Sequence, residues 1–341
     1  MTAPSNQLLM IRVPYQEICD ALSRVLSNLG FSPERARLCA QLFADTSRDG
    51  VYSHGLDRFP RFVRGIREGL VDVHAAPKLV SSHGALEQWN GNRGVGNLNA
   101  WQCMARAIAL SRQHGIGCVA LANTNHWMRG GTYGWQAAEA GVLGICWTNT
   151  MPNLPPWGAE DARVGNNPLV IAVPRPKGHV ILDMAMSQFS YGTLASYRAR
   201  GESLPVDGGF DSQGRLTRDP GAIELSARPL PIGYWKGSGL ALMLDLMAGL
   251  LSGGLFTHQV VADPEEETRL SQVFGAFDMS SLQNSKLAAE LADQVIEQFQ
   301  SSRQSEDHIR YPGERVLETR RENMARGIPV QPSIWRELQQ L

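Results

Sequence analysis

At Gly115-Ile116-Gly117-Cys118-Val119-Ala120 the glycine spacing of a dinucleotide-binding turn, G-x-G-x-x-A, occurs with its neighbours in the wrong order. A helical pattern, Leu98 to Gln113, precedes it, and a short apolar run suited to a buried strand, Cys118 to Ala122, follows. The phosphate-binding form needs the reverse order, because the anion rests on the N-terminus of the helix after the turn. The chain is therefore steered away from an ordinary Rossmann sheet. Strand and helix nevertheless alternate onward: Gly134 to Ala140 reads as helix, Leu143 to Thr148, Leu169 to Val173 and Val180 to Met184 as strands, and Ser187 to Arg200 as helix. Residues 201 to 234, rich in Gly, Pro and Asp, read as a long loop or an array of β-turns.

Helices flank this middle. Tyr15 to Leu29 ends at Gly30, and Pro33 to Ser47 starts after Ser32, a suitable N-cap before a proline. A third helix is expected over Leu56 to Glu68, followed by a polar passage to about residue 98. Lys236 to Leu251 is the most apolar helix. A strand near Val273 to Phe277, a helix around Leu282 to Ser301 and two polar helices after Pro312 and Pro332 complete the reading. At 341 residues the chain exceeds what one core usually supports, so two domains are expected. A net charge of -1 lacks the electrostatic footprint of a nucleic-acid binder. Cys19, Cys39, Cys103, Cys118 and Cys146 form no C-x-x-C pair, which suits reduced thiols and a cytoplasmic setting. Met1 to Arg12 has no signal-peptide layout, and the longest apolar run, Leu240 to Phe256, is broken by Asp245, so no membrane span is expected.

Chemistry concentrates in Ser53-His54-Gly55-Leu56-Asp57-Arg58. On one helical face four residues apart, an imidazole titrating near neutrality would donate a proton to a carbonyl oxygen while a planar guanidinium holds the neighbouring carboxylate. A polar turn with a surface histidine is the competing reading. A second constellation, Asn123-Thr124-Asn125-His126-Trp127-Met128-Arg129-Gly130-Gly131, follows a strand, at the position where open α/β sheets place ligands. Gly237-Ser238-Gly239 opens a helix, and anion binding there stays open. No G-x-x-x-x-G-K, H-E-x-x-H or G-x-S-x-G occurs, which disfavours nucleotide hydrolysis, zinc proteolysis and α/β-hydrolase chemistry, and no metal site is expected.

In order along the chain, Ser53-His54-Gly55-x-x-Arg58, Asn125-His126-Trp127, Asn166-Asn167-Pro168-Leu169, Asp183-Met184-Ala185 and Tyr234-Trp235-Lys236-Gly237 resemble the malate/L-lactate dehydrogenase type 2 family, a non-Rossmann group of NAD(P)-dependent oxidoreductases. The likeness runs from about Tyr15 to Leu341. It implies a mixed α/β fold in which residues 1–85 and 295–341 form a helical domain and residues 86–294 a mixed-sheet, cofactor-binding domain. It also implies a homodimer with NADH, or NADPH, as reductant of the C2 carbonyl of a sugar-derived 2-oxo acid. His54 matches the proton donor, acting as imidazolium. Arg58 matches the arginine assigned to the substrate carboxylate. Asn125 and His126 match polar groups of the same cleft, and Ser53 and Asn125 would bond substrate hydroxyls. Ile181, Leu182, Asp183, Met184, Ala185, Trp235, Lys236, Gly313, Glu314 and Arg315 match cofactor-contacting stretches, although Glu314 stands where the family leads one to expect histidine. Malate, lactate, ureidoglycolate and cyclic imino acids are rival substrates within the family. A catalytically inactive sugar-acid binding protein is the rival outside enzymes, and it would need neither His54 nor the cofactor stretches.

Overall fold

A computed structural model describes residues 10–303 and 309–341. The N-terminal stretch read for a signal peptide lies, up to residue 9, outside them. Chain order is β1 (Ile11–Val13), α1 (Tyr15–Asn28), α2 (Pro33–Arg48), α3 (Phe59–Arg67), β2 (Lys78–His83), β3 (Leu86–Asn90), α4 (Gly96–His114), β4 (Ile116–Thr124), α5 (Gly131–Glu139), β5 (Leu143–Thr148), β6 (Leu169–Val173), β7 (Val180–Met184), α6 (Tyr191–Arg200), β8 (Gly209–Phe210), β9 (Leu216–Thr217), α7 (Pro220–Ser226), α8 (Trp235–Ser252), β10 (Leu270–Phe277), α9 (Ala288–Gln300), α10 (Glu314–Arg326), β11 (Ile328–Val330) and α11 (Pro332–Gln340).

The two ends of the chain meet first. β1 pairs antiparallel with β11, Ile11 opposite Val330 and Val13 opposite Ile328. Around this ribbon the apolar faces of α1 (Ile18, Leu22), α2 (Phe43), α3 (Phe59, Phe62) and α11 (Trp335, Leu338) close one core. Amphipathic helices bury apolar stripes against each other, so terminal segments far apart in sequence make one body. The middle of the chain forms a seven-stranded mixed sheet in the order β2-β3-β4-β10-β5-β6-β7, in which only β3 and β4 run parallel. Alternate residues of β4 serve two cores. Val119 and Leu121 face α4 and α5, while Ala120 faces α8. A sheet covered on both faces needs strands apolar throughout, which is why β4, β5 and β10 read as continuous hydrophobic runs.

The order at Gly115 is as expected: it ends α4 in a left-handed conformation, and β4 follows. Gly117 is needed for packing, since a Cβ there would lie 2.1 Å from the Ala107 carbonyl oxygen. Three expectations need correction. The helix expected over Leu56 to Glu68 begins as a 3₁₀ turn, Leu56–Arg58, and continues as α3, while His54 lies in a separate 3₁₀ turn, Tyr52–His54. Gly55 breaks the run by crossing the end of α2, where a Cβ would lie 2.1 Å from Ser47 Oγ, and that hydroxyl accepts from the Leu56 N–H. His54 and Arg58 therefore do not share an α-helical face. The polar passage before residue 98 contains the β2–β3 hairpin, whose outer strand is exposed along its length and carries no alternation to betray it. A domain boundary after residue 85 falls inside this hairpin. Residues 201 to 234 are partly ordered as the β8–β9 ribbon and α7, whose N-cap Asp219 accepts from Gly221 N–H.

Candidate active site

The helical body and the sheet enclose a cleft of about 2140 Å³, more than the 300–1,000 Å³ that a single small ligand fills. It has room for two ligands side by side. One wall is the Gly50–Asp57 segment, and another is the turn after β4, from His126 to Gly130. The end of β7, helix α6 and the strap 310–313 complete it.

His54 and His126 face each other across the first two walls, their rings stacked at 5.8 Å. Ser53 Oγ lies 3.0 Å from His54 Nδ1, so Nε2 is the nitrogen left for a ligand. Burial first, then the charges of Arg58 and Arg129, lower the His54 pKa to about 4. With no anion bound, His54 is therefore neutral at pH 7. His126 is held well below its ordinary value by burial, with Arg58 and His54 adding to the effect. Its Nδ1 accepts from the Met128 N–H at 3.0 Å, so the neutral ring carries its proton on Nε2.

Of the expected site residues, Ser53, His54, His126, Ile181, Leu182, Asp183, Ala185 and Gly313 line this cleft. Arg58 stands behind the histidines with its guanidinium 3.8 Å from the Glu267 carboxylate. Burial, with help from Arg61, brings its pKa to about 10, so it remains charged at neutrality. Asn125 is committed to the backbone, donating to the carbonyls of Arg93 at 2.8 Å and Gly94 at 2.9 Å and accepting from Thr268. That leaves its amide no donor for a substrate hydroxyl. Met184 packs into the core under α8. Trp235 and Lys236 are exposed at the start of α8, away from the cleft wall. Glu314 and Arg315 begin α10 just beyond it; Glu314 Oε1 accepts from Gln300 Nε2 at 3.0 Å, and its Oε2 has no partner among the described residues.

Three contributors went unnoticed in the sequence. Asp49 gathers Arg48, Arg129 and Arg320 at 2.7 to 2.9 Å. Burial alone would raise its pKa, but Arg320, Arg129 and Arg48 outweigh that and bring it to about 2. This carboxylate ties α2, α10 and the turn after β4 together five residues before His54. Gly192 lies against Ser53, and a Cβ there would sit 2.8 Å from Ser53 Cβ. Trp135 lines the cleft with its indole N–H unpartnered among the described residues, and Arg320 stacks on its ring at 4.4 Å. No motif links these residues, because their partners lie tens to hundreds of positions away.

The walls fit a nicotinamide dinucleotide. Gly313 adopts φ +95°, and its missing Cβ, which would lie 3.1 Å from Ile181 N, allows the strap to run along β7, where the Ile181 N–H donates to the Pro312 carbonyl at 2.9 Å. The unpartnered indole N–H of Trp135 is a donor waiting for an acceptor on the same wall.

The malate/L-lactate dehydrogenase family matches residues 13–339. The 2,3-diketo-L-gulonate reductase of Escherichia coli (strain K12) is 45% identical over 333 residues, spanning 97% of this chain and 100% of that protein. Among solved structures, the sulfolactate dehydrogenase of Methanocaldococcus jannaschii superposes with a TM-score of 0.89 at 26% identity, over 97% of this chain and 96% of that one. The Δ1-piperideine-2-carboxylate reductase of Pseudomonas syringae pvar. tomato gives 0.84 at 28% identity, over 97% and 99%.

Proposed function

The chain belongs to the malate/L-lactate dehydrogenase family of oxidoreductases, and from that premise we propose that it reduces the C2 carbonyl of 2,3-diketo-L-gulonate to 3-dehydro-L-gulonate with NADH. The observation that carries the reading is His54, with Nδ1 against Ser53 and Nε2 facing a cleft large enough for substrate and cofactor together. The identity to a reductase of that name supports the choice of substrate over the malate, sulfolactate and imino-acid chemistries of other relatives.

When bound, the nicotinamide supplies a hydride to C2. The residues of the chain do the rest. The strap at Gly313 and the end of β7 at Ile181, Leu182 and Asp183 hold the dinucleotide, and Trp135 offers it a hydrogen bond. Arg58, behind the histidines and only loosely paired with Glu267, draws the substrate carboxylate toward them by its charge. Burial first, and then the guanidinium charges, deprotonate His54; the anion beside it favours the imidazolium against both, so the imidazole gains a proton as substrate binds and passes it from Nε2 to the oxygen at C2. His126, protonated on Nε2, donates a hydrogen bond to the same oxygen. The product is the 2-hydroxy acid.

A second copy of the chain is the proposed partner, and its seat is α8. That helix buries Ala241, Leu244 and Ala248, yet Leu242, Met243, Leu246, Met247 and Leu250 on its other side are exposed. A helix apolar all round is covered on every side in the working state. Trp235 and Lys236 border this face. All five cysteines are free thiols, in keeping with a cytoplasmic location.

The test is a panel of 2-oxo acids assayed by loss of NADH absorbance, with NADPH in parallel. Diketogulonate is expected to give the highest kcat/KM. A clear preference for oxaloacetate, pyruvate or a cyclic imino acid would replace the substrate, and absence of turnover with every member would remove the reaction class.

A further inference from the structure

One buried carboxylate is shared by the walls that carry the two histidines and the wall assigned to the cofactor. Asp49 is 4% exposed, and each of its oxygens accepts two N–H bonds. Oδ1 accepts from Arg48 Nε at 2.9 Å and Arg320 Nε at 2.8 Å, and Oδ2 accepts from Arg320 Nη2 at 2.8 Å and Arg129 Nη1 at 2.7 Å. An ionised carboxylate has about four acceptor sites, so none is left for a ligand. Asp49 also does not line the cleft. Whatever it contributes to a reaction there passes through its partners.

Each connection leads to a different wall. Asp49 caps the C-terminus of α2, and Gly50 beside it turns at φ +86° against α10, where a Cβ would lie 2.9 Å from Thr319 Cγ2; the turn carrying His54 follows. Arg129 stands next to Met128, a non-glycine residue at φ +65°, whose N–H donates to His126 Nδ1 at 3.0 Å. L side chains rarely adopt that backbone, so the turn depends on what anchors its neighbours, and Arg129 is anchored by Asp49. Arg320 sits over the Trp135 ring, 4.4 Å from its centroid, on the helix that follows the strap at Gly313. The other carboxylates nearby have partners of their own. Asp45 accepts from Arg48 and from the Tyr15 hydroxyl, each at 2.7 Å, and Asp183 accepts from the Gly131 N–H at 2.8 Å.

We propose that Asp49 is a positioning residue: by holding Arg129 and Arg320 at once, it sets the histidine wall that handles the proton against the Trp135 wall that meets the cofactor. The inference rests on the chain being a nicotinamide-dependent 2-oxo acid reductase and names the group that aligns its two halves. The experiment compares wild type with Arg129→Lys, Arg320→Lys and Asp49→Asn. NADH Kd is read by fluorescence titration, which also counts the binding-competent sites, and kcat per competent site is measured on the 2-oxo acid that wild type reduces best. Arg129→Lys alters the arm that holds the histidine turn and should lower kcat by roughly tenfold or more, since displacements under an ångström matter at a reacting centre, with a smaller change in NADH Kd. Arg320→Lys replaces a bidentate pair and a planar stack with a point charge and should raise NADH Kd by roughly three- to tenfold, with a smaller change in kcat. Asp49→Asn removes the common anchor and should do both; if it fails to fold, the two lysine variants still decide. Opposite splits between kcat and Kd in those variants are the signature of positioning. A cluster that only holds the fold would lower the melting temperature and the number of competent sites while Kd and kcat per site stayed as in wild type, and that result would overturn the proposal. Both lysine variants moving kcat and Kd in the same proportion would overturn it too, leaving the reaction class intact. A wild-type protein that binds no NADH, or reduces no 2-oxo acid, would instead overturn the reaction class, and this inference with it.

Discussion

His54 is an unprotonated imidazole in the ligand-free protein because its pKa, about 4, lies well under neutrality. Substrate charge is therefore part of its chemistry. His54→Ala should lower kcat by roughly 10² to 10⁴, the span for a lost general acid, with NADH titration unchanged; near-normal turnover in a folded variant would remove the proton-donor role. The same pKa has a consequence for stability. A histidine near 6.5 when unfolded and about 4 when folded binds its proton first in the unfolded chain. Stability is thus fully present above about pH 6.5 and declines as pH falls toward 4. Urea midpoints measured from pH 7.5 to 4.5 should fall in wild type and fall less steeply in His54→Ala, with His126 contributing the remainder in the same direction. Parallel curves for the two proteins would show that His54 is not the buried neutral group assigned here. Arg58, Ser53 and His126 were legible as site candidates because polar side chains cluster beside glycines there. Arg129 and Asp49 stand in the same two segments, but nothing local distinguished them, since their contact spans eighty positions.

Element boundaries were legible wherever a single residue punctuates the chain. Ser32 and Pro33 start α2, Gly115 ends α4, and Leu143–Thr148, Leu169–Val173 and Val180–Met184 fall where the apolar runs put them. Helix α6 begins at Tyr191 instead of Ser187, because Ser187 is held in a bridge to Pro231 and Ser190, the next serine, caps the helix through the Thr193 N–H at 3.1 Å. This later start sets Gly192 against Ser53, which gives the element its role in the site. Gly192→Ala should improve helix propensity yet force Ser53 and His54 to shift. The expectation is a fall in kcat/KM of roughly ten- to a hundredfold, since displacements under an ångström matter at a reacting centre, with an unchanged or raised melting temperature. Unaltered kinetics would mean that the α6 start does not position Ser53.

Among the described residues, α8 presents an exposed apolar face, the seat proposed for a second copy of the chain. Leu250 at 70% exposure and Met243 at 51% are large apolar groups on a helix whose opposite side is already buried. Leu246→Glu, which places a charge in the middle of that face, should convert a dimer to a monomer in light scattering, because a desolvated unpaired carboxylate costs several kcal/mol. A variant that keeps the wild-type mass would show that α8 is not the contact. Asp49 works at this scale as well. It joins a helix from the first fifty residues, a helix from the last thirty and a turn of the sheet, so the cleft between the bodies has a fixed hinge of charge.

Local order came from the sequence alone. Helix before glycine before strand at Gly115 ruled out the ordinary dinucleotide turn, apolar runs marked the central strands, and Ser53-His54-Gly55 with its companions carried the family likeness. These are properties of neighbours within a few residues, where periodicity, capping and backbone freedom act. Tertiary structure decided what depends on long-range approach. It paired β1 with β11, placed β2 on the sheet edge, committed Asn125 to backbone carbonyls and turned Arg58 behind the histidines. It also brought Arg129 to the cleft and lowered the pKa of His54. Burial and charge act through space, and a position along the chain does not fix its distance from a partner hundreds of residues away.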